Sequence, residues 1–162
     1  MAAAAITLRL AQPRDAHALA VMSRDLIESG LGWSYRPERI VRLIEDRDTT
    51  TLVACDDHTG LAGFAIMKFG DERAHLVLLA VRPAHRRHGV GRRMIEWLVA
   101  SALTAGIAVL SLELRAGNGV AREFYRAMGF SETISIADYY RGGEPAIRMV
   151  RALSPLARSA WP

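Results

Sequence analysis

The sequence predicts an α/β protein, one twisted mixed β-sheet flanked by helices in the order β-α-α-β-β-β-α-β-α-β-β. Three observations carry that expectation. Short alternating runs typical of strands are interleaved with longer stretches whose apolar residues recur at helical spacing. A strand over 76–81, a helix and a strand over 107–114 form a βαβ crossover, so those two strands run parallel with a right-handed connection. The remaining strands are joined by short turns as hairpins, which makes them antiparallel. With 162 residues, 51% of them hydrophobic, a single domain over 1–162 with an ordered core over about 6–153 can fill its own interior.

Residues 6–10 alternate as a strand. Pro13 and Asp15 open an amphipathic helix through Ser29, with Leu19, Met22, Leu26 and Ile27 inward. Gly30 and Gly32 break it, Trp33, Ser34 and Tyr35 form a loop, and Pro37 starts a short helix to about Asp46. Residues 50–55 and 61–69 are strands around a turn at 56–60, and 74–82 is a third, ended by Pro83. A helix from about Gly89 to Ala105 is capped by Gly106. Residues 107–115 form a strand, and 118–128 a helix stopped by Gly129. The inward stripe of that helix is Val120, Phe124 and Met128, with Tyr125 one step off it. A final hairpin joins 130–139 to 145–153 around Arg141, Gly142 and Gly143. The tail after Ser154 frays.

Composition removes several functions. The single cysteine, Cys55, allows no intramolecular disulfide, and its neighbours Leu52, Val53 and Ala54 mark it as a buried thiol rather than a nucleophile. Residues 1–6 are apolar but short and lack a basic flank, so no signal peptide or membrane span is expected and the expected place is the cytoplasm. Net charge is +4, from twenty arginines and one lysine, Lys68, against seventeen acids. Most arginines are scattered without aromatic interleaving, which argues against a nucleic-acid partner.

The exception is HRRHGVGRRM, His85 to Met94, at the carboxyl end of the first crossover strand, where open sheets bind ligands. Four arginines crowd a helix N-terminus that already carries positive partial charge. A bound anion converts that repulsion into charge-assisted hydrogen bonds. The free amides of a glycine-rich turn can hold one, and Gly89 and Gly91 let the backbone come close. A P-loop is excluded because no lysine follows the glycines, and a dinucleotide fingerprint because Met94 stands where its third glycine belongs. His85 and His88 read as donors toward the anion or as solvated residues. No third ligand lies at a suitable spacing, so no metal is expected.

The spacing Arg86-x-x-Gly89-x-Gly91, after a strand and Pro83, resembles the acetyl-CoA pyrophosphate loop of the GCN5-related N-acetyltransferases, the GNAT superfamily. A second block resembles the same family: Leu112-Glu113-Leu114-Arg115-Ala116-Gly117-Asn118, then Phe124-Tyr125-Arg126-Ala127-Met128-Gly129-Phe130. The likeness covers roughly residues 6–153 and is tightest over 79–130. Within the superfamily the sequence is most similar to the bacterial ribosomal-protein N-terminal alanine acetyltransferases, through Leu-Glu-Leu-Arg-Ala-x-Asn, Tyr139-Tyr140 and Pro145-Ala146-Ile147-Arg148-Met149. Gly30-Leu31-Gly32-Trp33-Ser34-Tyr35-Arg36-Pro37 departs from that group's pattern.

The resemblance implies the GNAT fold, acetyl-CoA as donor, no metal, and direct acetyl transfer to a primary amine such as a protein or peptide N-terminus. It places the cofactor on Arg86, Arg87, His88, Gly89, Val90, Gly91 and Arg92, with the backbone of Leu79, Ala80 and Val81 pairing with pantetheine and Asn118 nearby. It makes Glu113 the general base, Tyr125 the general acid toward the departing thiolate, and Trp33, Tyr35, Tyr139 and Tyr140 the border of the acceptor pocket. The residues by themselves also allow plainer roles. Glu113 could pair with Arg115, Tyr125 could be a boundary tyrosine, and Asn118 a helix cap. Arg122 and Arg126 could be solvated or touch a 3′-phosphate, and His17, His58 and His75 read as isolated structural residues. The acceptor stays open between a peptide N-terminus and a small-molecule amine such as an antibiotic, a polyamine or an amino acid. The reading outside enzymes is a CoA-binding or nucleic-acid-binding module, and a homodimer is left open.

Overall fold

The computed structural model describes residues 5–153. Seven strands form one sheet in the order β1-β2-β3-β4-β5-β7-β6. They are β1 Ile6–Leu10, β2 Thr49–Asp56, β3 Gly60–Phe69, β4 Arg73–Val81, β5 Val109–Arg115, β6 Ser131–Ile136 and β7 Ala146–Ala152. β4 and β5 are parallel and the other neighbours antiparallel, as the crossover and the hairpins require. Helices α1 Ala16–Leu26 and α2 Pro37–Glu45 cover one face, and α3 Val90–Thr104 and α4 Gly119–Ala127 the other. No helix among the described residues is long and apolar enough to cross a membrane.

Each face carries its own core. Leu19, Met22, Ile40 and Leu43 pack on Val53, Phe64, Ile66, Leu78 and Ala80. Met94, Ile95, Leu98 and Ala102 pack on Leu52, Ala65, Met67, Leu76, Leu110 and Leu112. β4 contributes to both cores. Leu76 faces α3, yet Leu78 and Ala80 face α1 and α2, although strict alternation would keep all three on one side. The register explains it: Met67 pairs with Leu76 and Ile66 with Leu78, leaving Val77 as an extra residue. This β-bulge shifts the pleat by one and bends the strand.

The bend comes where β4 and β5 part. Their pairing runs only from Arg73–Val109 to His75–Ser111. Beyond it β4 continues to Val81 paired with β3 alone, while β5 continues to Arg115 paired with β7. The carboxyl halves of the two parallel strands therefore splay into a V.

Two local expectations change. The first long helix stops at Leu26 and is preceded by a separate 3-10 turn at Pro13–Asp15. On α4 the buried stripe is Tyr125 and Met128, not Val120, which is 80% exposed. Tyr125 meets Phe124 and Phe130 edge-on, with ring centroids 5.1 and 5.7 Å away, and this contact sets the helix rotation. The residues after Ser154, expected to fray, lie outside the described ones.

Gly63 pairs with Val81 in the free half of β4. A Cβ there would sit 2.6 Å from the Ala80 carbonyl oxygen, whereas one at Gly119, the first residue of α4, would meet nothing. Gly63→Ala should therefore cost about 1–3 kcal/mol in denaturant unfolding. Gly119→Ala should be neutral or stabilising by up to about 1 kcal/mol.

Candidate active site

The connection from β4 into α3 carries the glycines and arginines of residues 85–94. Arg87 and Gly89 both take left-handed backbone, with φ of 63° and 79°. Left-handed residues separated by one position can turn successive amides to one side, the geometry of a nest. The amides of residues 87–92 have no backbone acceptor among the described residues; the first one satisfied is that of Arg93, which donates to Gly89. The space beside the Gly89 Cα is open. Gly91 serves packing instead: a Cβ there would lie 3.2 Å from the Phe124 ring, so its absence lets α3 close on α4.

The side chains of this stretch divide. Arg86 Nε donates to the Val81 carbonyl and Arg93 Nη1 to the Ile6 carbonyl, so both brace the loop. Arg92 lies 3.9 Å from exposed Glu96. Arg87 and His88 have no side-chain partner among the described residues. His85 is neither an anion donor nor solvated. Its Nε2 lies 2.7 Å from Asp56 Oδ2, tying the loop to the β2–β3 turn. The His58 amide first, and then His85, hold the Asp56 carboxyl down to about 2.

A cleft of about 560 Å³ opens where β4 and β5 part, on the α1–α2 side of the sheet. Glu113 on β5 reaches it, with its side chain only 10% exposed. It does not pair with Arg115. Arg148, its cross-strand neighbour on β7, donates Nε to Oε1 at 3.0 Å and holds Nη2 2.9 Å from the same oxygen. His75 on β4 places Nε2 2.8 Å from Oε2 and Nδ1 2.8 Å from Ser111 Oγ. A carboxylate only accepts, so Nε2 is the protonated nitrogen facing it. The His75 hydrogen bond, outweighing burial and helped by Arg148, holds the Glu113 carboxyl below the usual glutamate range.

Two loops roof the cleft, residues 27–36 and 137–145. Glu28, buried beneath the first, accepts from Ser23 Oγ at 2.9 Å and from the Ser34 and Tyr35 amides at 2.7 and 3.2 Å. Arg115 joins the two loops: Nε donates to Glu144 Oε2 and Nη1 to the Ser29 carbonyl, each at 2.7 Å. The Arg141 guanidinium rests against Gly32, where a Cβ would lie 2.7 Å from it.

The structure brings Tyr35, Tyr139, Tyr140 and Glu113 to this cleft. Trp33 is not among its lining residues. Its indole Nε1 donates to the Ala20 carbonyl and its ring lies between Arg24 and Arg36, so it anchors the loop to α1. Tyr125 is buried on the opposite face of the sheet, makes no hydrogen bond to the described residues, and has its hydroxyl pushed up by burial and then by Tyr140. Asn118 Oδ1 accepts from the Ala121 amide at 3.1 Å and caps α4. Arg122 and Arg126 both turn to Glu132, 3.1 and 2.7 Å away. His75, Ser111, Arg148 and Glu28 were not anticipated. The signal for the first three is strand register, which pairs His75 with Ser111 and Glu113 with Arg148. Among the described residues no group of three His, Cys, Asp or Glu could hold a metal.

The splayed pair thus sets the left-handed turn after β4 at the end of one strand and the clamped carboxylate on the other. Residues 20–130 match the model of the acetyltransferase (GNAT) family, and the chain belongs to that family. It is 37% identical over 97 residues to the [ribosomal protein bS18]-alanine N-acetyltransferase of Escherichia coli K12, a match spanning 58% of this chain and 66% of that protein's length. The crystal structure of the ribosomal-protein-S18-alanine N-acetyltransferase from Escherichia coli superposes with a TM-score of 0.80 at 27% identity, covering 93% of this chain and 95% of that one. A streptothricin acetyltransferase of Streptomyces lavendulae is 33% identical over 111 residues, 65% of this chain and 59% of that protein.

The clamp on Glu113 has a measurable signature. In a carboxyl NMR titration Glu113 should protonate below the ordinary glutamate value, and in His75→Gln its midpoint should rise. A depressed folded value stabilises the protein above the unfolded value, and that stabilisation is lost as pH falls through the folded one. The stability gap between wild type and variant should accordingly narrow in acid. An unshifted Glu113 in both proteins would remove the clamp.

Proposed function

We propose that the whole chain is a single N-acetyltransferase domain that moves acetyl from acetyl-CoA to the primary amine at a peptide N-terminus. The observation that carries this is the V between β4 and β5, which links the amide nest at residues 87–92 to the Glu113 cleft. The nest suits a pyrophosphate, with Arg87, His88 and Arg92 around it. The β4 edge over Leu79, Ala80 and Val81, unpaired toward β5, offers main-chain partners to an extended pantetheine amide chain. Acetyl-CoA supplies the activated thioester, and this chain's residues position the groups that exchange protons.

Glu113 acts as a fixed anion that accepts a hydrogen bond from the amine and aims it. Proton transfer to it from an ammonium is uphill by about 5 kcal/mol even at an ordinary glutamate value, and the clamp makes it steeper. The ammonium proton therefore leaves through water in the open cleft, and the exposed Arg39, Lys68 and Arg141 at its rim favour the neutral amine. Tyr125, its hydroxyl pushed up by burial, donates a hydrogen bond to the departing thiolate through the V while keeping its own proton, and water in the open cleft protonates that thiolate. Tyr35, Tyr139 and Tyr140 border the acceptor. A small-molecule acceptor is the second reading, which the similarity to a streptothricin acetyltransferase favours. The cationic rim opposes a polycationic acceptor, and so supports the peptide.

Acetyl-CoA at one hundred times its dissociation constant should stabilise the fold by about 2.7 kcal/mol, read as a shift in the thermal melt. Gly89→Val should remove most of that shift, because a β-branched residue resists φ of 79° and fills the open space beside the nest. No shift with wild type at millimolar acetyl-CoA would end the acetyltransferase reading. Tyr125→Phe should lower kcat with acetyl-CoA more than CoA affinity. The loss should shrink with a thioester whose thiol leaves more easily, whereas an equal loss with both would mark a packing role.

A further inference from the structure

Three cations line the cleft from three different elements: Arg39 on α2, Lys68 on β3 and Arg141 on the loop between β6 and β7. None has an ion pair or a hydrogen bond among the described residues. Arg39 lies over the Tyr35 ring at 4.0 Å, Arg141 leans on Gly32, and Lys68 acts on Asp46 only through space. The cleft's two carboxylates do not balance them. Glu28 is spent on Ser23 and the Ser34 and Tyr35 amides, and Glu113 on His75 and Arg148. The cleft thus presents one oriented anion at its floor beneath a rim of unmatched positive charge.

We propose that this rim selects the acceptor, so that the preferred substrate is a peptide whose N-terminal residue is followed by Asp or Glu. The inference rests on the acetyl-transfer reading and names its substrate class. The amine goes to Glu113, and carboxylates one or two residues further along the peptide go to the rim. A free amino acid fits poorly, because its carboxylate sits on the carbon bearing the amine and would be held against Glu113. A peptide with Arg or Lys after its first residue meets like charge. Fields add in a cleft, but the three cations are exposed, so each contributes modestly and is screened by salt.

The test is kcat/KM for matched peptides beginning with Ala and carrying Asp/Glu, Asn/Gln or Arg/Lys at positions two and three, at low and high salt. Acidic peptides should exceed basic ones by about tenfold at low salt, and the ratio should shrink at high salt. The ratio should fall toward one in the combined Arg39→Gln, Lys68→Gln and Arg141→Gln variant. It should persist in Arg47→Gln, an exposed residue outside the cleft that removes a charge without touching the rim. The acetyl-CoA melt shift in each variant verifies folding. Equal rates for all peptides, or the same collapse in Arg47→Gln, would overturn the selectivity while leaving N-terminal acetylation standing. Free aspartate or glutamate outperforming every peptide would overturn it as well. If no peptide is acetylated although acetyl-CoA still shifts the melt, the peptide reading falls and this one falls with it.

Discussion

The structure depends on the parting of β4 from β5. Parallel strands in one sheet ordinarily stay paired, because each leaves its neighbour's edge groups unsatisfied when it departs. Here the extra residue at Val77 bends β4 after only three paired positions and turns its alternation over. Leu78 and Ala80 consequently pack under α1 and α2, while Leu79 and Val81 pack toward α3. The bent half of the strand is held in both cores, so its open edge is kept rigid. That edge, the nest at its end and the cleft beside it all follow from this bend.

Electrostatics then decides which charges serve the framework and which remain available. Arg86 and Arg93 donate to backbone carbonyls, Arg115 bridges the two roof loops, and Arg148 clamps Glu113. These arginines do the work that larger hydrophobic contacts cannot do at loop edges, where backbone acceptors need donors. Among the described residues, Arg87 and His88 at the nest and Arg39, Lys68 and Arg141 around the cleft rim are left without ion pairs. Both places are where the proposed reaction needs to hold anionic groups.

The fold was largely legible from residue order. The βαβ spacing sets the parallel pair, the hairpin turns set the antiparallel ones, and Asn118 and Gly129 bound their helix as capping rules require. The rotation of α4 was not, because Val120 and Tyr125 are both apolar enough to face inward. The aromatic contacts with Phe124 and Phe130 chose between them. His85 was misplaced for a related reason: its partner Asp56 lies twenty-nine residues away, on a turn that only the folded sheet brings beside it.

The sequence by itself determined the order of elements, the parallel crossover and the glycine-rich loop before α3, because each is written in local spacing and backbone preference. The tertiary structure alone decided the state of Glu113. Its strand pattern placed it on the polar face of β5, but its partners His75 and Arg148 are thirty-eight and thirty-five residues distant and meet it only through strand register. A residue slip in that register would move a partner to the other face of the sheet and leave the carboxylate unclamped. Local spacing can name a carboxylate, but its charge and basicity belong to the groups that the fold sets against it.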